Sequence, residues 1–351
     1  MTSRRMRSIL KNSISTLFSI LLSGLFLYLA FRGKDIDQLW NSLIEVHWSW
    51  FVLLFVGSAL SHVLRAWRWK YLLYPIKKDV SLRNTFSATM IGYLINNVVP
   101  RLGEFVRPYS MKKLEGISRS ATMGTIVLER ILDLVTFAMF VLTVFAVYSE
   151  QFVIWFPSLA NIEWLFIAGA AAMMIFFILM FLKAELMLQF VKRFLFLLPE
   201  RMRGTAGKIY DSFVTGFQAS KYPGNYLMIA ATSLLIWLSY IILLYVPFFI
   251  YDFSKNPDIN FGAASVLQVA SGFAFALPTP SGIGSYHAFT SFALTQMFNV
   301  DPETALSYAV YTHAVGFLTT TIVGLYFFIV DKMHVSDVVG PNPNDTDEKQ
   351  S

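Results

Sequence analysis

INNVVPRLGEFVRPY, residues Ile95 to Tyr109, interrupts a strongly apolar chain. An apolar stretch over 84–99 leads into it. Two asparagines, a proline, a glycine, a glutamate and two arginines then follow where a membrane helix would still be crossing. Its surroundings are those of a membrane protein: of 351 residues, 56% are hydrophobic and 14% charged. Soluble domains carry roughly 45–50% apolar and about 25% charged residues.

Six runs approach the ~20 apolar residues that cross a hydrocarbon core: 12–31, 47–66, 121–148, 162–182, 225–250 and 304–330. Two further apolar stretches, 84–99 and 263–298, are each bounded or broken by turn residues. Basic residues orient the chain, because Lys and Arg flanking spans accumulate on the cytoplasmic side. Arg4, Arg5, Arg7 and Lys11 place the start inside and precede a retained first helix. After the second span come Arg65, Arg68, Lys70, Lys77, Lys78 and Arg83, and beyond 84–99 come Arg101, Arg107, Lys112, Lys113 and Arg119. Both flanks of 84–99 are therefore basic. A crossing there would strand one cluster outside, and the stretch is short for a span. The segment reads instead as a re-entrant hairpin over about 84–118, turning at Pro100–Gly103, with a simple seventh span as the alternative.

The same logic runs on to the C-terminus. Loop 149–161 carries Glu150 and no Lys or Arg, as an outside loop should. Residues 183–223 are basic, with an apolar stripe at Leu186, Phe190, Phe194 and Leu197, and predict an amphipathic helix on the cytoplasmic leaflet. Stretch 263–298 is broken by PTPSGIGS, Pro278 to Ser285, and must dip from the outside if 304–330 is to return the tail. The expected fold is thus an all-α integral membrane protein of about six transmembrane helices and two re-entrant helical hairpins in an inverted-repeat arrangement. Its parts are a cytoplasmic N-terminus (1–11), repeat A (12–148), repeat B (149–334) and a disordered acidic tail (335–351). Opposed broken helices suit transporters, where irregular backbone lines a cavity and is kept from lipid.

Chemistry concentrates at three places. In LERILDLV, Leu128 to Val135, Glu129 and Asp133 share a helix face with Arg130 beside them. They sit roughly 12–18 Å into the span at ~1.5 Å per residue. Each costs about 2.5–3.5 kcal/mol at a helix centre in lipid, so they must face a cavity or one another. A purely structural ion-pair cluster tying this span to hairpin one is the competing reading. Hairpin one offers Asn96, Asn97, Arg101, Glu104 and Arg107 around Pro100 and Gly103, with arginine suited to gripping phosphate. Lys112 and Lys113 read as ordinary edge charges. Hairpin two offers Ser281, Gly282, Gly284, Ser285 and His287, with Thr279 and Tyr286, around Pro278 and Pro280. Its glycines allow close approach and leave N–H groups at the start of the returning arm for an anion, although tight turns need glycine anyway. His313, Tyr308 and Tyr311 of the last span are candidates to line the same space, but a lone intramembrane histidine is more often simply hydrogen-bonded. There is no cysteine, five histidines stand singly, and HExxH, Walker A and G-x-S-x-G motifs are absent, so no catalytic residue, metal or cofactor is expected.

Together, NNVVPRLGEFVRPY, LERILDLV and PTPSGIGSYHAF resemble the lysylphosphatidylglycerol synthase transmembrane region, or UPF0104 flippase-like family. That family is similar to the membrane half of the multiple peptide resistance factor. The resemblance covers roughly 10–335 and implies a multi-pass cell-membrane protein that moves or handles a lipid between leaflets. Carried over by position, its residues are Pro100, Gly103, Glu104, Arg107, Glu129, Arg130, Asp133, Pro280, Gly282 and Gly284. Where the family often reads Pro-Gly-Gly-Ile-Gly followed by an acidic residue, this chain has Ser281 and His287, which points to a different headgroup preference. The family's soluble aminoacyl-transfer domain has no counterpart here, so synthase activity is not expected. The leading expectation is a lipid translocator for an anionic phospholipid or polyprenyl-phosphate lipid, with both termini cytoplasmic, no nucleic-acid partner, and homo-oligomers allowed. The alternatives are an intramembrane lipid-modifying transferase or its accessory subunit, and an ion-coupled small-solute transporter.

Overall fold

A computed structural model describes residues 3–155, 225–253, 256 and 258–334, with isolated positions between 164 and 215. The expected span 162–182 and amphipathic segment 183–223 lie largely outside the described residues, and the tail 335–351 wholly so. Every regular element among the described residues is helical. The first is α1 (Ser3–Phe31). A turn at Gly33 leads into α2 (Ile36–Ile44), bent 92° from α1. The mixed charge of residues 32–46 reads as a loop in the sequence. A helix forms because the Asp35 carboxylate caps it, accepting from the Asp37 and Gln38 amides at 2.9 and 3.1 Å. Leu39 then buries against Ala30 and Leu306.

Next come α3 (Trp48–Leu73), α4 (Leu82–Val98), α5 (Gly103–Glu115), α6 (Arg119–Val147) and α7 (Ser149–Trp155). The second half holds α8 (Tyr226–Tyr245), running on through a 3-10 turn to Phe249, then α9 (Phe261–Ala276), α10 (Ser285–Phe298) and α11 (Pro302–Val330). Among the described residues, four stretches are long and apolar enough to cross a membrane: Trp48–Leu73, Arg119–Val147, Tyr226–Phe249 and Pro302–Val330. The bent α1–α2 pair is a fifth if taken as one span. This is an all-helical, multi-pass membrane protein.

The opening stretch folds as a turn between two antiparallel arms. Arg101 takes a left-handed conformation, φ 65°, and the Gly103 N–H donates to Asn96 Oδ1 at 2.7 Å, closing the turn. Gly103 lies directly on the backbone of Gly92, so any side chain there would drive the arms apart. The base of the hairpin is tied shut. Glu115, at the end of α5, accepts from Lys77 Nζ at 2.5 Å, the Ser81 N–H at 3.0 Å and Asn84 Nδ2 at 2.7 Å. Arg83 pairs with Asp331 at 2.5 Å and Lys113 donates to the Lys332 carbonyl at 2.6 Å. The two ends of α4–α5 thus meet the same end of α11. The segment thus folds back on itself as a helical hairpin.

These bonds make the base of the hairpin pH-sensitive. Burial alone would raise the Glu115 carboxyl, but the hydrogen bonds from Lys77, Ser81 and Asn84 and the Lys77 charge hold it below the usual carboxylate range. A depressed carboxylate contributes stability that is fully present above its unfolded pKa of about 4.3. That contribution is lost as pH falls through the lower folded value. Melting of the detergent-solubilised protein is expected to reveal this: Glu115→Gln lowers the midpoint at pH 7, and the deficit relative to the parent chain shrinks below pH 4.

The second hairpin, α9–α10, is based at the other end of α6. Asn256 Nδ2 donates to the Phe298 carbonyl at 3.4 Å, and Gly262, at the start of α9, abuts the Tyr148 hydroxyl just past the C-terminus of α6. Gly284, φ 85°, presses its backbone on that of Ser23 in α1, a contact closed to any side chain. Helix neighbours in the two halves correspond. α4 packs on α3, α5 and α11, while α9 packs on α8, α10 and α6; α3 and α8 pack on each other.

The tips of the hairpins touch. Asn97 Oδ1 accepts from Ser281 Oγ at 2.8 Å, while its Nδ2 donates to Thr320 and Thr321 of α11 at 3.0 Å each. Arg101 Nη2 reaches the Ala276 carbonyl at 3.4 Å.

Candidate functional site

Asp133 stands at the midpoint of α6, and Glu129 lies one turn before it on the same face. Around them converge four arginines from three helices. Arg65 of α3 bonds Glu129 and Asp133, both at 2.8 Å. Arg68, also of α3, bonds Asp133 at 2.6 Å and lies 3.6 Å from Glu129. Arg107 of α5 donates to Glu129 at 2.7 Å. Arg130, beside Glu129 on α6, contacts it at 2.8 Å and Asp133 at 3.5 Å.

Neighbouring side chains fix three of the guanidiniums. Arg65 donates to the Tyr240 hydroxyl of α8 at 2.9 Å, and Arg68 to Ser233 of α8 at 3.2 Å. Arg107 lies 3.9 Å over the Trp69 ring, whose indole N–H is held by Thr125 at 3.0 Å. A cation over a desolvated indole contributes about 2 kcal/mol.

Burial divides the cluster into a core and a rim. Glu129 is 1% exposed and Arg68 fully buried, whereas the Arg130 side chain is 40% exposed. Glu104, in the first turn of α5, approaches Arg130 at 3.9 Å. With Glu104 counted, four cations face three carboxylates, leaving one net positive charge. The Nε–H groups of all four arginines and Glu104 Oε2 are buried with no hydrogen-bond partner among the described residues. Arg130 and Glu104 form the more exposed edge of the cluster, and Arg101 stands at the tip of hairpin one. Such a surface can take up an anionic group of phosphate geometry.

Hairpin two carries a neutral polar cluster. The His313 Nε2 lies 2.9 Å from the Ser281 carbonyl, and its ring is 4.7 Å from that of His287. Tyr286 and Thr312 share a hydrogen bond at 3.0 Å, and Ser285 lies 2.8 Å from Thr279 and donates to the Ala274 carbonyl at 3.0 Å.

Several expectations are corrected. Arg65 and Arg68, read as cytoplasmic flank charges, lie inside α3, which runs seven residues beyond the expected span end at 66, and they form half of the cation set. Asn96 closes its own turn and Asn97 bridges the hairpins, so both amides are engaged within the protein. The N–H groups at the start of the returning arm were expected to offer an anion site; those of the turn just before it are engaged within the protein. The Gly282 N–H goes to the Thr279 carbonyl, that of Ile283 to Pro280, and that of Gly284 to His287 Nδ1 at 3.2 Å. Tyr308 is buried against the Leu244 carbonyl and Tyr311 packs with Leu54 and Val315, so His313 is the member of that trio that reaches the tip. The spacing of Arg65 and Arg68, three apart in LRAWRW, carried the missed signal. On an extended helix they share a face.

A charged node at mid-helix depth, packed against a broken hairpin, defines a polytopic membrane protein with a polar interior site. The chain belongs to the family described as the lysylphosphatidylglycerol synthase TM region, whose profile matches residues 16–324. It is similar to a UPF0104 membrane protein of Methanocaldococcus jannaschii, 22% identical over 333 residues that cover 92% of this chain and 96% of that one. No solved structure matches.

Proposed function

We propose that the protein translocates a lipid bearing an anionic phosphate headgroup. The headgroup would enter between the two hairpin tips, and Arg130 and Arg101 would grip it. Arg65, Arg68 and Arg107 would hold Glu129 and Asp133 in place beneath. The observation that carries this reading is the graded cluster: a locked ionic core midway along α6 with an excess positive charge, and a half-exposed Arg130 at its rim. Lipid handling also fits the family in which the chain falls.

The corresponding neighbours of α4 and α9, and hairpin bases at opposite ends of α6, support an inverted repeat. Rocking of the halves about the α3–α8 contact would open the site to each leaflet in turn. The basic flanks favour an orientation with both termini in the cytoplasm. A transferase reading fits less well, because a general base needs a free lone pair aimed at substrate, and both deep carboxylates are taken by arginines.

Leaflet exchange of a fluorescent anionic phospholipid in reconstituted vesicles tests the proposal. A charge-assisted hydrogen bond contributes about 1.5–3 kcal/mol, so Arg130→Ala is expected to slow exchange by roughly 10–100-fold while the variant stays folded. Equal rates for Arg130→Ala and the parent chain would remove the assignment.

A further inference from the structure

Helix α2 carries three distinct faces. At 100° per residue, Leu39, Ser42 and Leu43 fall together, and this side packs on the protein: Leu39 is buried, and Leu43 packs on the cluster formed by Ala30, Leu39 and Leu306. Asp37, Gln38 and Asn41 form a second, polar face. Ile36, Trp40 and Ile44 line up on the third within about 80° of arc. All three are exposed, Trp40 at 61%. A helix bathed in water on both free sides has no reason to place a tryptophan between two isoleucines on one of them.

The surroundings show what covers that face. The helix leaves α1 at 92°. The α1 side chains leading to the bend, Leu25, Tyr28 and Leu29, are exposed apolar groups of the membrane-facing surface, as are Val52, Leu53 and Val56 at the start of α3. Trp48, where α3 begins, is 69% exposed. The Ile36–Trp40–Ile44 stripe therefore bridges two lipid-facing surfaces, at the level where tryptophans gather at membrane boundaries.

We infer that α2 is an interfacial helix whose Ile36, Trp40 and Ile44 insert into the headgroup–acyl boundary of the leaflet at which α1 ends. Asp37 and Asn41 stay in water. Helices of this type bury their apolar face about 5–10 Å into that boundary. Leu39 and Leu43 fasten the anchored helix to α11, and Ala288 of the returning arm of hairpin two packs on the same cluster. The membrane surface is thereby joined mechanically to the elements that carry Ser281 and His313. This inference does not depend on the translocator reading.

The chain has no cysteine, so single cysteines report cleanly. Nitroxide labels at Ile36→Cys, Trp40→Cys, Ile44→Cys, Asp37→Cys and Asn41→Cys, in vesicles, are compared for collision with oxygen and with a water-soluble nickel complex. The oxygen-to-nickel ratio is expected to be several-fold higher at 36, 40 and 44 than at 37 and 41. A uniform ratio at all five positions would overturn the inference. So would spin–spin broadening confined to 36, 40 and 44, which would mean that a second copy covers the face. If the Trp40 variant fails to fold, the Ile36 and Ile44 variants give the same reading.

Discussion

Glu129→Ala is expected to destabilise the protein more than any other single change in the cluster, by about 3–5 kcal/mol, the usual cost of removing one partner from a buried ion pair. Glu129 is the acceptor shared by Arg65, Arg107 and Arg130, all at 2.7–2.8 Å, with Arg68 close behind. Without it, Asp133 and Glu104 alone face four guanidiniums, and Arg107 loses its carboxylate while buried over Trp69. The melting midpoint in detergent should fall by on the order of 10 °C. Arg130→Ala should move it little, because Glu129 keeps Arg65, Arg68 and Arg107 and the half-exposed Arg130 is screened by solvent. A matching loss of stability in both variants would erase the distinction between a structural core and a functional rim.

Fastening the hairpins together is expected to stop lipid movement altogether. Asn97 and Ser281 hold the two tips in contact at 2.8 Å, and alternation between leaflets requires that contact to break. In Asn97→Cys/Ser281→Cys, a short bifunctional thiol reagent should abolish leaflet exchange, and a cleavable reagent should restore it on reduction. The single-cysteine variants treated in the same way should exchange at the parent rate. Full exchange with the tips cross-linked would show that they never part during turnover.

Both hairpins were legible in the sequence because Pro100–Gly103 and Pro278–Gly284 place helix breakers inside apolar stretches. Basic residues on both flanks of the first suggested that its two ends share one side of the membrane. Glu129 and Asp133 were legible because two carboxylates one turn apart in lipid demand partners. The partners themselves were harder to find. Arg65 and Arg68 fell just beyond or at the edge of the apolar window, and charge at a span end reads as an orientation signal, although α3 carries both into the core. Helix α2 was hidden by Asp37, by the flanking charges of Lys34, Asp35 and Glu45, and by a length of 9 residues, too short for a periodic signal to outweigh them. The seating of Gly284 on α1, the capture of its N–H by His287 and the Asn97–Ser281 bridge depend on which distant elements pack together. Residue types along one chain do not encode those contacts locally.

The central claim is that two out-and-back hairpins start from opposite faces of the membrane and meet at their tips. Labelling of single cysteines with a membrane-impermeant thiol reagent, on sealed vesicles of known orientation, tests it directly. Lys78→Cys and Lys113→Cys, at the two ends of hairpin one, are predicted to react from one and the same side, and Asp258→Cys, at the base of hairpin two, only from the other. Reaction of the Lys78 and Lys113 variants from opposite sides, or of all three from one side, would contradict it.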